Sequence, residues 1–215
     1  MTDEPLKTLI SAHSARYTDR GSRFYAYAFP VMDLEEIEIR RSRIADKHRD
    51  ASHQCYAWRY NPSQPEEFVQ DDGEPAGTAG QPILGVIKSA LLVNVLIIVV
   101  RYFGGTKLGK SGLVRAYREA AALSIASAEK MNLDRFIPFR VLYPYEQENR
   151  IRELINRYRM DIAQETYLEN ISITFYCKAD QAAELEGILE HLAYLGIFFE
   201  KKPECFRQMN GGTPN

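Results

Sequence analysis

The sequence predicts an α+β protein of two successive domains, and three observations carry that prediction. Near the start, a segment alternates small with large aromatic side chains, as a strand does whose two faces meet different layers. In the middle, Asn94 to Tyr102 is apolar without alternation, which marks a central strand covered on both faces. After a connection at Asn132 to Pro138, the order strand, helix, strand, strand, helix, strand begins afresh. The chain has 215 residues, enough for two compact cores without disulfides.

The elements follow in order. Leu6 to Val31 has β-rich chemistry with a turn at Thr18 to Gly21, and in Ser22 to Phe29 the residues Phe24, Ala26 and Ala28 alternate with Tyr25, Tyr27 and Phe29. Asp33 with Glu36 forms a capping box opening a helix to about His48, its buried stripe marked by Leu34, Ile37, Ile44 and Ala45. In the strand His53 to Tyr60, Cys55 and Ala57 face away from Tyr56, Trp58 and Tyr60. Asn61 to Gln70 is a proline-bearing connection, and Asp71 to Gly80 (DDGEPAGTAG) is too rich in glycine for regular structure. Thr78 is placed to cap the next helix, whose stripe is Ile83, Val86, Ile87, Ala90 and Leu91, and Gly85 within it suggests close packing. A helix from Ser111 to about Lys130 turns Leu113, Tyr117, Ala120, Ala121 and Ala128 inward.

In the second half, strand Phe139 to Tyr145, helix Glu146 to Arg159, two strands within Asp161 to Cys177, helix Asp180 to Leu195 and strand Ile197 to Phe206 give βαββαβ, the ferredoxin-like arrangement. The expected domains are 1–133 and 134–208, with 209–215 a disordered tail.

Net charge is −2, from 27 basic and 29 acidic side chains, so attraction to nucleic acid or anionic lipid has to come from local patches. The three cysteines, Cys55, Cys177 and Cys205, are odd in number and lack CxxC pairing, which argues against a disulfide framework and a zinc site. With no apolar signal core and no run long enough to span a bilayer, a cytoplasmic protein without membrane contact is expected.

The densest chemistry lies in RYFGGTKLGKSGLVRAYR, residues 101–118, where a basic glycine loop joins the apolar strand to a helix. Glycines let a main chain approach phosphate, and a helix start offers unpaired N–H donors and a positive dipole end. Arg101, Gly104, Gly105, Lys107, Lys110, Arg115 and Arg118 are therefore the candidate phosphate-binding set. The competing reading is a tight turn whose charges only solvate it. Gly104 to Ser111 also fits the nucleotide-binding pattern GxxxxGKS, but no apolar run ending in Asp supplies a magnesium ligand, and the repeated βαβ units of that fold are missing.

Asp71, Asp72 and Glu74 form an acidic loop that can hold a hard cation, act in acid–base chemistry, or brace the basic loop through ion pairs with Arg101 or Lys107. Without EF-hand spacing the bracing role is favoured, and no metal or cofactor is expected. His53 at a strand start reads as a hydrogen-bonded structural residue and Cys55 as a small core side chain. The aromatic rows offer Tyr25, Tyr27, Tyr56 and Trp58 as a surface for stacking bases, if helices cover only the opposite face of the sheet. Their other reading is contact with neighbouring parts of the chain.

SRFYAYAFPV at 22–31, His53 with Cys55, DDGEPAGTAGQPIL at 71–84, RYFGGTKLG at 101–109 and GLVRAYREAA at 112–121 together resemble the IMPACT/YigZ family. The resemblance implies a first domain with the small-subunit ribosomal protein fold also found in domain IV of elongation factor G, an α/β sandwich, followed by a ferredoxin-like domain. It also implies a link to RNA or ribosomes. Eukaryotic relatives are implicated in translational control through an additional domain not expected in this chain. The expectation is thus a monomeric, non-enzymatic RNA- or ribosome-associated regulator of translation or stress response with no catalytic residue. The alternatives are a nucleotide-binding enzyme using residues 104–111, a hydrolase using His53 with the acidic loop, and a protein-interaction module.

Overall fold

The computed structural model describes residues 5–207. The chain separates into two compact units, the first ending at Leu133 and the second beginning at Asp134. The tail expected to be disordered, 209–215, lies outside the described residues.

The first unit opens with β1 (Lys7–Leu9), followed by β2 (His13–Asp19) and β3 (Ser22–Pro30), which pair as a hairpin turning at Arg20 and Gly21. Helix α1 (Leu34–Lys47) is capped by Asp33, whose Oδ1 accepts from the Glu36 N–H at 2.7 Å, while Glu36 Oε2 reaches back past the cap residue to accept from the Met32 N–H at 3.0 Å. Strands β4 (His53–Tyr60) and β5 (Glu66–Gln70), helix α2 (Gly80–Ser89), strand β6 (Val95–Tyr102), helix α3 (Gly109–Ala126) and the short β7 (Lys130–Asn132) complete the unit. The main sheet runs β2-β3-β6-β4-β5, with β6 antiparallel to both neighbours, and β1 pairs with β7 in a separate two-stranded sheet.

Central β6 divides its apolar residues between two cores. Val95, Ile97 and Val99 join Phe24, Ala26, Ala28, Cys55 and Ala57 beneath α2 and α3, and small side chains there let two helices come close to the sheet. Leu96, Ile98 and Val100 meet Ile37 and Ile44 of α1, and with one helix on that face large rings fill the remaining width: Tyr25, Tyr27, Phe29, Tyr56, Trp58 and Tyr102.

Several expectations are corrected. The connection Asn61 to Gln70 contains the edge strand β5, paired with β4 from Tyr56–Gln70 to Tyr60–Glu66. Helix α3 begins at Gly109, two residues before Ser111. The connection Asn132 to Pro138 is mostly strand, because β7 ends at Asn132 and β8 starts at Asp134. Thr78 does not cap α2; its hydroxyl donates to the Pro75 carbonyl at 2.6 Å. Nothing lies within 4 Å of a Cβ built at Gly85, whereas one at Gly80 would sit 2.9 Å from the Gln70 nitrogen, so Gly80 is the close-packed position.

The second unit comprises β8 (Asp134–Tyr143), α4 (Glu148–Arg157), β9 (Asp161–Tyr167), β10 (Ile171–Lys178), α5 (Ala182–His191), β11 (Phe198–Lys201) and a short β12 (Cys205–Arg207). The order β11-β8-β10-β9, antiparallel at every step, is the ferredoxin-like sheet. Phe139, Val141, Ile173 and Phe175 pack against Ile151, Leu154, Leu185 and Leu189 of its helices.

Candidate functional site

The acidic and glycine loops meet at one end of the main sheet, around a pocket of about 450 Å³. Glu74 is buried, and its Oε1 accepts from Arg101 Nη1 at 2.7 Å and from the Tyr117 hydroxyl at 2.8 Å. Arg101, also buried, reaches the Ser22 hydroxyl at 3.3 Å. The pair ties the end of β6 to the acidic loop and α3, and satisfies charges that would be costly in a core if left alone. Arg101 is therefore no surface cation for a nucleic-acid backbone; it belongs to the floor of the pocket.

Asp71 organises the acidic loop from within. Its carboxylate accepts from the backbone N–H groups of Gly77 (2.8 Å), Ala79 (3.0 Å) and Gly80 (2.8 Å), so a residue nine positions upstream caps α2 in place of Thr78. Burial raises the Asp71 carboxyl's pKa, but the three amide donors outweigh it and hold the group below its ordinary range. Asp72 Oδ2 accepts from the Gln54 N–H at 2.6 Å, and the Asp72 carbonyl is 2.8 Å from His53 Nδ1. A carbonyl only accepts, so His53 carries a proton on Nδ1, and its Nε2 lies in the pocket lining 3.9 Å from Glu74 Oε1.

Cys55 is buried with its thiol donating to the Asp71 carbonyl at 2.9 Å, and burial pushes the thiol pKa up. The Tyr117 phenol is likewise pushed up, by burial and then by the neighbouring Cys55 and Glu74. Neither is poised as a nucleophile.

The basic set divides. Lys107 and Lys110 are exposed, line the pocket beside His53, Phe103 and Leu108, and have no ion-pair partner among the described residues. Arg115 pairs with Asp19 at 3.0 Å, while Arg118 is exposed on α3 outside the pocket lining. Gly104 serves packing, because a Cβ there would fall 1.9 Å from the Gly21 carbonyl carbon. Gly105 is open and left-handed, with φ of +85°. The GxxxxGKS match is accordingly set in an antiparallel sheet with its first glycine occupied by a neighbouring turn.

The aromatic rows do not form a bare platform. Helix α1 lies over them, with Arg41 4.2 Å from the Tyr56 ring, Lys47 4.9 Å from Tyr27 and Arg40 5.3 Å from Phe29. Tyr56 is only 7% exposed, Tyr25 and Tyr27 flank His48, and Trp58 stacks on Phe68. The exposed ring at the pocket is Phe103, which sequence patterning passed over because it belongs to no periodic row. Among the described residues no group of three or more His, Cys, Asp or Glu side chains is arranged to hold a metal ion, and no helix is long and apolar enough to cross a membrane.

These features define a two-unit α+β protein with a cation-rimmed pocket at the end of its first sheet. Residues 20–125 match the Impact N-terminal domain. An IMPACT family member of Haemophilus influenzae is 34% identical over 160 residues, 72% of this chain and 76% of that one. Another from Thermus thermophilus is 38% identical over 147 residues, 68% of this chain and 78% of the relative. The chain belongs to the IMPACT family. Protein IMPACT of Homo sapiens is 33% identical over 102 residues, 45% of this chain and 31% of its own length. In fold, the chain is similar to a crystal structure of a hypothetical protein, with TM-score 0.62 and 24% identity over 91% of this chain and 96% of that one.

Proposed function

We propose that this protein is a cytoplasmic, non-enzymatic regulator of translation or of a ribosome-associated stress response that acts by binding RNA or a ribosomal surface. The observation that carries the reading is the pair Lys107 and Lys110, exposed and without carboxylate partners among the described residues, at the mouth of a pocket where α3 begins. Unneutralised cations beside free N-terminal amides attract phosphate, whereas charges serving only solubility are commonly paired or scattered. Arg118 extends the positive face along α3, and Arg115 contributes less because Asp19 neutralises it. Buried Cys55 and the closed Arg101–Glu74 pair speak against a nucleophilic or hydrolytic centre. Fluorescence anisotropy with a short labelled RNA tests the reading: the K107E/K110E variant binds at least tenfold more weakly than the parent. Equal binding by the two proteins refutes the assignment.

A further inference from the structure

We propose that the pocket receives one ribonucleotide bearing a 5′ phosphate, either free or as the first residue of an RNA strand. The phosphate sits at Lys107 and Lys110, the base lies on Phe103, and the ribose hydroxyls reach His53 and Glu74. This deepens the reading above and rests on its assignment of the two lysines to phosphate.

The pocket has a polar gradient that few ligands match. Its rim carries Lys107 and Lys110 at the start of α3, a site for a compact anion. Deeper in, His53 Nε2 lies 3.9 Å from the Glu74 carboxylate, an acceptor, while Nδ1 is engaged by the Asp72 carbonyl. A ligand hydroxyl, which both donates and accepts, can bond the carboxylate and the ring nitrogen together. Both protein hydrogen bonds to Glu74 fall on Oε1, and Oε2 receives none from the described residues. A sugar phosphate offers an anion at one end and hydroxyl donors at the other, and a ribonucleotide adds a flat base for Phe103.

A further observation points to an occupant. Phe103 is 50% exposed although its backbone is fixed, its amide bonding the Ser52 hydroxyl at 3.1 Å. The Arg101 guanidinium lies 5.5 Å from the ring centroid, and a flat ligand ring stacking on Phe103 would bury that aromatic surface. The volume of about 450 Å³ is in the range of small-molecule sites.

The test uses the full ¹⁵N-labelled chain, titrated with UMP, AMP, dAMP and inorganic phosphate and followed by amide shifts. Short RNAs with a 5′ phosphate or a 5′ hydroxyl are compared in parallel by anisotropy. The proposal expects saturable shifts around His53, Phe103, Lys107 and Lys110, with AMP binding about tenfold more tightly than dAMP. It expects F103A to weaken AMP about tenfold without altering phosphate binding, and H53A to remove the preference for ribose. Because Phe103 is half exposed, F103A retains the fold and remains informative should H53A misfold. A preference for 5′-phosphorylated RNA assigns the site to a strand end, while AMP binding without that preference assigns it to the free nucleotide; both support the pocket. Absent saturation, equal affinity for phosphate and AMP, or equal affinity for AMP and dAMP overturns it. RNA binding that depends on the lysines but shows no mononucleotide binding overturns this inference alone. Loss of lysine-dependent binding to RNA and nucleotide together overturns the functional reading as well.

Discussion

Arg101 and Glu74 form a buried ion pair at 2.7 Å, joining the end of β6 to a loop that lies 27 residues earlier in the chain. Removing one partner leaves an uncompensated charge in the core. R101M and E74Q are each expected to lower stability by about 3–5 kcal/mol, and the R101M/E74Q double variant by less than the sum, because it buries no lone charge. Urea unfolding monitored by circular dichroism measures all three; strictly additive losses would show that the pair is not coupled.

Asp71 accepts from three backbone amides, two of them, those of Ala79 and Gly80, at the start of α2. D71A should cost about 1–3 kcal/mol at neutral pH. Because the folded carboxyl titrates below its ordinary value of 3.8, its contribution is complete above that value and disappears as pH falls through the lower folded one. The gap between parent and D71A in urea unfolding therefore narrows only in strong acid. A gap unchanged down to pH 2 would exclude the carboxylate as its source.

His48 is 8% exposed and sits between two phenols, with Nε2 2.8 Å from the Tyr27 hydroxyl and Nδ1 2.9 Å from that of Tyr102. Burial, and then the charge of Lys47, holds its pKa below the ordinary 6.5. The unfolded chain takes up this proton at higher pH than the folded one, so stability present above 6.5 declines as pH falls toward the lower folded value. Urea midpoints at pH 7.5 and 5.5 are expected to differ more for the parent than for H48Q. Identical differences would place the pH sensitivity elsewhere.

Neighbouring glycines in the basic loop should respond unequally to alanine. At Gly104 the new methyl meets the Gly21 backbone at 1.9 Å, and a loss of about 3 kcal/mol is expected. At Gly105 nothing lies within 4 Å and only the left-handed backbone resists, costing about 1–2 kcal/mol. Thermal unfolding of the two variants gives the order, and a reversed order would contradict the packing role assigned to Gly104.

The parts of this fold that were legible in the sequence are those fixed by local pattern. The unbroken apolar run of β6, the capping box at Asp33 and the split between Ala26 or Ala57 and Tyr25 or Trp58 all report their layer directly. What the sequence hid depends on partners distant along the chain. Asp71 caps α2 from nine residues away while the nearer Thr78 turns to Pro75, and a rule that looks only at adjacent residues selects the wrong one. Alternation places the aromatic rows on one face, but α1 covers that face with Arg40, Arg41 and Lys47, whose cations lie over rings that polar helix composition gives no reason to expect beneath them. Strand β5 escaped because its residues EEFVQ are mostly exposed and follow a proline. At the pocket, charge alone groups Arg101 with Lys107 and Lys110, whereas burial separates a structural guanidinium from two exposed ammonium groups.

The proposed contact of Lys107 and Lys110 with phosphate is tested by the salt dependence of RNA affinity, because each phosphate neutralised releases counterions and adds to the slope of log affinity against log salt. K107A/K110A is expected to bind RNA more weakly, with a slope smaller in magnitude by about 1.5 to 2 than that of the parent. Parent and variant slopes that coincide within error would contradict it.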